Sequence, residues 1–478
     1  MSIEAQSAMM HRPQLLYYGD DFTGATDTLA SAARAGLRSI LLFAPPDAAR
    51  LAMLGAIDCL GIAGLSRSLA PTHMREELAP IAELARALRP TVLHYKTCST
   101  FDSAPEVGSI GEAVRMLSPS MPSPWVAIVG GQPNLGRYCL FGNLFAAAGA
   151  GGEVARIDRH PTMSRHPVTP MHEADLRRHL AQQGLTDVGL VPWTCYETSP
   201  GGGVGEVATT SAVSARVDAL RAEGVVNILW DVARQGDLPQ IGAQLWSAAR
   251  RAPLLAVGPS SVTQALASAM ARGGQTSSDE IPAAQGPVLV LAGSLSPVTA
   301  AQVTAAVSFE VVRLDAARLI EPDGRYCREA AAQLAGHLRA GRHALACTVP
   351  SGARAAEPSA NSSTDSSTEA STQDRAVSAL ALAQAGGRLL RQVLDEVPVS
   401  RMAIAGGDTS SHGVRALDAW GLAYAGMVSP GAPLCRLRSD APALDGMEIV
   451  LKGGQMGGVD LFERLVHGTA SPTAPLSA

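Results

Sequence analysis

The chain has 478 residues, of which 46% are apolar and 17% charged, the balance of a folded protein of two or three domains and not of a disordered one. Its formal net charge of −5, from 38 basic and 43 acidic residues spread along the chain, leaves no basic excess or stripe for a general polyanion binder, so no nucleic-acid partner is expected. No run of about 18 apolar residues suits a membrane span, the N-terminus lacks the basic and apolar regions of a secretion signal, and Cys59, Cys98, Cys139, Cys195, Cys327, Cys347 and Cys435 form no CxxC pair. The reading is a cytoplasmic protein with reduced thiols and no zinc site.

In chain order, the apolar run Leu15-Leu16-Tyr17-Tyr18 predicts a strand that ends at Gly19-Asp20-Asp21. FTGATDTLASAARAG follows with helical spacing and Gly36 as its C-terminal stop. SILLFAP, DCLGIAG, TVLHYK, WVAIVGG, DVGLVPW, VVNILWD and PLLAVGP continue as strands, with a helix near 71–89 and an amphipathic helix in EADLRRHLAQQ. Residues 272–286 are polar and rich in Gly and Ser, which marks a linker. It divides an N-terminal domain, 1–271, from a C-terminal domain, 287–478. The second domain repeats the pattern in VLVLAGS, FEVVRLD, HALACTVP, MAIAGGD and MEIVLKGG, with helical stretches between them. Apolar strands alternating with Ala- and Leu-rich helices predict two α/β domains with mainly parallel sheets. The Ser/Thr-rich segment 351–375 carries too few large apolar residues to pack and reads as a surface insertion.

Only two of the 38 basic residues are lysines, Lys96 and Lys452. Codon bias explains such a ratio, but a compact ammonium enters pockets that a planar guanidinium does not. Both lysines lie where predicted strands end, the edge at which α/β sheets bind ligands. Asp20-Asp21 also follows a strand and suits hydroxyl binding, proton transfer or indirect Mg²⁺ binding, unless one merely caps the helix and the other is solvated. The loop Lys96-Thr97-Cys98-Ser99-Thr100-Phe101-Asp102-Ser103 gathers a cation, hydroxyls and a carboxylate, as a small anionic polyol would require. The plain alternative is a Ser/Thr-rich turn. Arg67 follows another strand and suits a carboxylate, and Cys98 has no identifiable histidine partner for nucleophilic work.

In the second domain three glycine loops follow strands: Gly293-Ser294-Leu295-Ser296, Gly406-Gly407-Asp408-Thr409-Ser410, and Lys452-Gly453-Gly454-Gln455-Met456-Gly457-Gly458. Glycines let phosphate oxygens approach backbone N–H groups, so three such loops in one domain favour a nucleotide site over simple turns. No P-loop, GxGxxG, HExxH or GxSxG motif is present, and the glycine cluster 201–203 reads as a flexible loop.

YGDDFTGATDTLA, YKTCSTFDSAPEVGSIG, HPVTPMHEADLRRHL, AGSLSPVTAAQ, AGGDTS and LKGGQMGG, in that order from residue 17 to 458, together resemble the four-carbon acid sugar kinase family. The resemblance implies an acid-sugar domain followed by a nucleotide domain, with the active site in the cleft between them. It implies ATP- and Mg²⁺-dependent phosphorylation of threonate, erythronate or a 3-oxo-tetronate, commonly on the 4-hydroxyl, and leaves a homo-oligomer open. By the same resemblance Asp20, Asp21, Arg67, Lys96, Thr97, Cys98 and Ser99 belong to the substrate side; Asp102 joins them as a hydroxyl partner, and Asp20 or Asp21 is the base, being the only carboxylates the motifs offer near the attacking oxygen. Ser294 or Ser296, with Gly406, Gly407, Asp408, Thr409 and Gly454, belong to the ATP side; Lys452 is expected to offset phosphate charge there, and no residue is assigned as a metal ligand. Gly19 and Asp408 depart mildly from the family's usual Ala and Glu, and Gly142-Asn143 fits a family loop loosely. The competing readings are a nucleotide-dependent ligase or hydrolase of another hydroxy acid, and a non-catalytic sugar-acid sensor.

Overall fold

The computed structural model describes residues 12–149, 151–166, 168–196, 206–270, 279–294, 296–349 and 372–469. The chain divides into two compact units: residues up to Asp279 together with Trp420–Gly426, and Glu280–Ala419 together with the chain from Met427 onward. The glycine cluster 201–203, residues 272–278 of the expected linker and most of the expected insertion lie outside the described residues. Helix begins at Thr372, inside the segment read as insertion.

Unit 1 runs β1 (Leu15–Gly19), α1 (Phe22–Arg34), β2 (Ser39–Leu42), α2 (Ala48–Leu54), β3 (Cys59–Ala63), α3 (Pro71–Leu88), β4 (Val92–Lys96), α4 (Ile110–Leu117), β5 (Val126–Val129), β6 (Arg137–Leu140), β7 (Asn143–Ala147), β8 (Val154–Arg156), α5 (Leu176–Ala181), β9 (Val188–Val191), α6 (Glu206–Ala222), β10 (Asn227–Trp230), α7 (Leu238–Arg251), β11 (Leu254–Gly258) and α8 (Ser261–Met270). Its main sheet has the order β2-β3-β1-β4-β11-β5-β10-β9, all parallel. β1, β3, β4 and β11 are buried along their whole length, as continuous apolar runs covered on both faces require. Helix α1 starts where Asp21 accepts the Gly24 N–H at 2.8 Å, and it ends before Gly36 in the left-handed region (φ 82). The separate antiparallel sheet β6-β7-β8 is absent from the sequence reading.

Unit 2 contains β12 (Val288–Ala292), α9 (Pro297–Ala305), β13 (Phe309–Asp315), α10 (Ala316–Leu319), α11 (Arg325–Arg339), β14 (His343–Val349), α12 (Thr372–Glu396), β15 (Arg401–Ala405), α13 (Gly407–Arg415), the end of β16 (Gly421–Ser429), β17 (Ala432–Arg438), β18 (Glu448–Lys452) and α14 (Leu461–His467). Its strands β13-β14-β12-β15-β18 are parallel, and β17 adds to β18 antiparallel. The sequence predicts helix between MAIAGGD and MEIVLKGG. The structure corrects half of that: α13 is there, but the rest is the two strands β16 and β17. The first part of β16 belongs to unit 1, where Gly421 and Leu422 pair antiparallel with Leu42 and Leu41 of β2. Trp420 packs against the unit 1 core, accepts the Phe43 N–H at 3.1 Å, and lies under the Arg50 guanidinium. Among the described residues no helix is long and apolar enough to cross a membrane.

At the opposite end of β15 from its glycine loop, Arg401 is almost fully buried. It donates to Glu448 at 2.7 Å and to the Pro282 and Leu465 carbonyls at 3.0 and 2.8 Å. Removing one member of a buried pair strands the other charge. Arg401→Ala is therefore expected to cost about 3–5 kcal/mol of unit 2 stability, read as a lower urea midpoint.

Candidate active site

In unit 1 the polar residues gather at the carboxyl ends of three adjacent strands, β3, β1 and β4. Register places Gly19 beside both Ala63 and Lys96, so the residues that follow each strand meet. Backbone bonds fasten the edge: Asp20 N–H donates to the Lys96 carbonyl at 3.0 Å and Arg67 N–H to the Asp20 carbonyl at 3.1 Å.

Arg67 grips both carboxylates of the Asp-Asp pair. Its Nε and Nη2 donate to Asp20 at 3.1 and 2.8 Å, and its Nη1 lies 2.9 Å from Asp21 Oδ2. Lys96 Nζ stands 3.8 Å from Asp20 Oδ1 and from Asp21 Oδ1. Two anions and two cations thus balance where Asp20, Asp21 and Lys96 are buried and charge-assisted bonds are strong. The two aspartates nevertheless differ. Burial pushes the Asp20 carboxyl up, and Arg67 and Lys96 only partly offset it, so its net shift is upward. Burial also raises Asp21, but Arg67, Lys96, the Thr23 hydroxyl and the Gly24 N–H outweigh it and hold Asp21 at about 2. Asp21 is the helix cap, and Asp20 is not the solvated residue that the plain alternative required.

The Lys96–Asp102 loop completes the site. Cys98 N–H donates to Asp20 Oδ2 at 3.3 Å, and Thr100 donates to Asp102 at 2.6 Å. Burial pushes the Cys98 thiol up to about 11, so it is neutral and no nucleophile. Thr97 is buried with its hydroxyl on the Cys98 carbonyl, while Ser99 is half-buried. Asp102 is raised by burial and lowered more by Arg67, Cys98, Thr100 and His166. Arg137, at the start of β6, escaped the sequence reading. Its Nε is buried with no hydrogen-bond partner among the described residues. Burial depresses its proton affinity, against the pull of Cys98, Asp102 and Asp27.

In unit 2 the same plan recurs at β12, β15 and β18, whose last residues Ala292, Ala405 and Lys452 stand in register. Gly293 N–H donates to Ala405 O at 3.0 Å and Gly406 N–H to Lys452 O at 2.9 Å, which brings the three glycine loops together. A Cβ on Gly293 would meet Thr409 Oγ1 at 2.3 Å, and one on Gly454 would meet Ser294 Oγ at 2.4 Å. Ser296 caps α9 through Val298 N–H, and Gly407 and Asp408 open α13 beyond Gly406 (φ 125). The structure brings Ser294, Ser296, Gly406, Thr409 and Gly454 into one neighbourhood, whereas Lys452 turns its ammonium into the interior, fully buried. Leu295 lies outside the described residues. Among the described residues no group of three or more His, Cys, Asp or Glu is placed to hold a metal.

A polar strand edge in unit 1 and a glycine-loop strand edge in unit 2 fit the two-domain plan of a carbohydrate kinase. Residues 15–266 match the family model of a sugar-binding N-terminal domain, and residues 289–462 that of a nucleotide-binding C-terminal domain. The chain is 38% identical to a 3-oxo-isoapionate kinase of Paraburkholderia graminis over 95% of this chain and 94% of that one. It is 30% identical to a 3-oxo-tetronate kinase of Methylobacterium radiotolerans, covering 93% and 96%. Solved structures from Salmonella typhimurium and Haemophilus influenzae share the fold, with TM-scores of 0.69 and 0.65, 23% and 22% identity, and coverage of 94% of this chain and 98% of each. The chain belongs to the four-carbon acid sugar kinase family.

Gly24 in the DDFTGATD motif has a specific purpose here. A Cβ on it would stand 1.7 Å from Lys96 Nζ and 2.6 Å from Asp21 Oδ1. The Lys96 chain end can yield, so Gly24→Ala is expected to fold with little change in melting temperature while driving the ammonium off the carboxylates. A displacement of that size costs on the order of 10²-fold in kcat/KM, which steady-state kinetics would read.

Proposed function

We propose that the protein transfers the terminal phosphoryl group of ATP, with Mg²⁺, to the terminal hydroxyl of a short 3-oxo sugar acid, at C4 where the chain has four carbons. The observation that carries this reading is the unequal Asp20/Asp21 pair between Arg67 and Lys96. The substrate class draws support from the two kinds of relative, both named for 3-oxo acids.

Phosphoryl transfer needs positioning, charge neutralisation and a group to receive the hydroxyl proton. Asp20 Oδ2 accepts from Arg67 and Cys98, while Oδ1 accepts from Arg67 alone among the described residues. A carboxylate oxygen has two lone pairs, so in this reading Oδ1 takes the proton. The raised proton affinity of Asp20 favours it over Asp21 as the base. Arg67 directs Nε, Nη1 and Nη2 at the aspartates and serves to hold them. Lys96, together with Arg137 and its unpartnered Nε, is then left to meet the substrate carboxylate. Ser294, Gly406–Thr409 and Gly454 would hold the nucleotide, whose glycine approaches leave room for phosphate oxygens. Mg²⁺ usually keeps most of its water and binds phosphates with one or two carboxylates, and Asp408 is the acidic side chain at those loops.

The direct test is ADP release from ATP and Mg²⁺ with D- and L-threonate, D-erythronate, 3-oxo-tetronate and 3-oxo-isoapionate, with product mass and phosphate position determined. Turnover of a 3-oxo acid is expected, and turnover of none sinks the substrate assignment. Asp20→Asn is expected to lower kcat by about 10²–10⁴-fold, and Asp21→Asn, which keeps a capping side chain, by less. The acid limb of the wild-type pH profile should lie higher than an ordinary aspartate would place it, because burial raises Asp20. Lys96→Met removes a cation that favours ionised Asp20, so it should move that limb to higher pH. An acid limb that survives unchanged in Asp20→Asn assigns the base elsewhere.

A further inference from the structure

Lys452 closes β18 with its ammonium fully buried and no carboxylate in ion-pair distance among the described residues. It donates to Gln302 Oε1 at 2.6 Å and Thr299 Oγ1 at 2.9 Å, with the Gly454 carbonyl at 3.4 Å. Burial alone lowers this ammonium to about 7, and an unpaired buried charge is costly unless its bonds accomplish something. What they accomplish is orientation. With its oxygen taken by a cation, the Gln302 amide must point its Nε2 the other way. That nitrogen faces three successive carbonyls, Met456 at 3.0 Å, Gly457 at 3.2 Å and Gly458 at 2.9 Å. Thr299, one turn earlier on α9, donates to the Gly454 carbonyl at 2.8 Å.

The consequence follows from peptide planarity. In a trans peptide the carbonyl and the next N–H point in opposite directions. Drawing the carbonyls of 456, 457 and 458 to Gln302 therefore turns the N–H groups of Gly457, Gly458 and Val459 away from it. None of those three N–H groups donates a hydrogen bond among the described residues. We infer that Gln302, oriented by Lys452, is a positioning residue that keeps the carbonyl oxygens of residues 456–458 turned inward, so that this end of the loop offers N–H donors and not oxygens to the nucleotide's phosphates. Without this hold, a loop with four glycines rotates its peptides freely, and any carbonyl that turns outward repels the phosphate. Lys452 thus acts through Gln302 and does not touch the nucleotide. The inference rests on the nucleotide reading of these loops.

The test is a calorimetric titration of Mg·ADP into the full chain, which needs no knowledge of the sugar acid. Gln302→Met removes both ends of the amide contact. Gln302→Glu keeps an oxygen for Lys452 but loses the donors to the three carbonyls. Both are expected to weaken Mg·ADP by about tenfold or more. The melting temperature should change little, and KM for ATP should rise more than kcat falls. A Gln302→Glu that binds Mg·ADP within about twofold of wild type overturns the inference, as does such a Gln302→Met. Should both fail to fold, Thr299→Val removes the hydroxyl on the Gly454 carbonyl; it is expected to weaken Mg·ADP several-fold, and unchanged binding overturns the inference equally. Wild-type protein that binds no Mg·ADP would instead sink the nucleotide reading itself.

Discussion

The site in unit 1 depends on one guanidinium. Asp20 and Asp21 are neighbours in the chain and both are buried, a placement that self-repulsion and desolvation would ordinarily forbid for two carboxylates. Arg67 makes it tolerable by dividing its planar fork between them, and a lysine could not, having no fixed plane of donors. With Arg67 in place, Lys96 approaches without having to form a tight pair with either carboxylate, and the backbone N–H of Cys98 finishes the shell around Asp20. The difference in proton affinity between the two aspartates comes from what else each one accepts. Asp21 has the helix N–H and the Thr23 hydroxyl; Asp20 has neither.

Both units solve the same problem in the same way. In each, three adjacent parallel strands end in register, and one strand's first loop residue donates its backbone N–H to the last carbonyl of a neighbour. The edge is therefore rigid before any side chain is added, which suits chemistry that tolerates little misplacement. The units differ in what they hang on that edge. Unit 1 presents charged side chains, and unit 2 presents glycines whose missing side chains make space. The two lysines mark the contrast: Lys96 sits beside carboxylates, whereas Lys452 sits among neutral amide and hydroxyl oxygens.

Much of this was legible in the sequence, because strand ends carrying Asp-Asp, Lys-x-Cys-Ser or Gly-Gly interrupt otherwise apolar runs. The parallel strands of both units follow from those runs. What the sequence conceals is pairing across distance. Nothing local says that Arg67, one of 36 arginines, grips residues 46 and 47 positions earlier. Arg137 hides in a strand of four residues with mixed polarity, too short for a periodicity argument. Gln302 reads as an ordinary polar position in a short helix, and its value appears only when the loop 150 residues later folds against it. The hairpin of β16 and β17, with Gly431 at its turn in the left-handed region (φ 73), lies in a stretch expected to be helical, because Ala- and Gly-rich β16 lacks a strict apolar alternation.

The assignment of Trp420–Gly426 to unit 1 bears on how the chain is made. The rest of that unit is complete by about residue 279, yet the strand that covers its β2 edge comes some 140 residues later. During synthesis the N-terminal sheet must wait, with Leu41 and Leu42 offering unpaired backbone groups, until most of unit 2 has emerged. An exposed parallel-sheet edge is a template for another nascent copy. The chain therefore cannot be divided into two independent genes at its apparent linker without leaving the first product with an open edge.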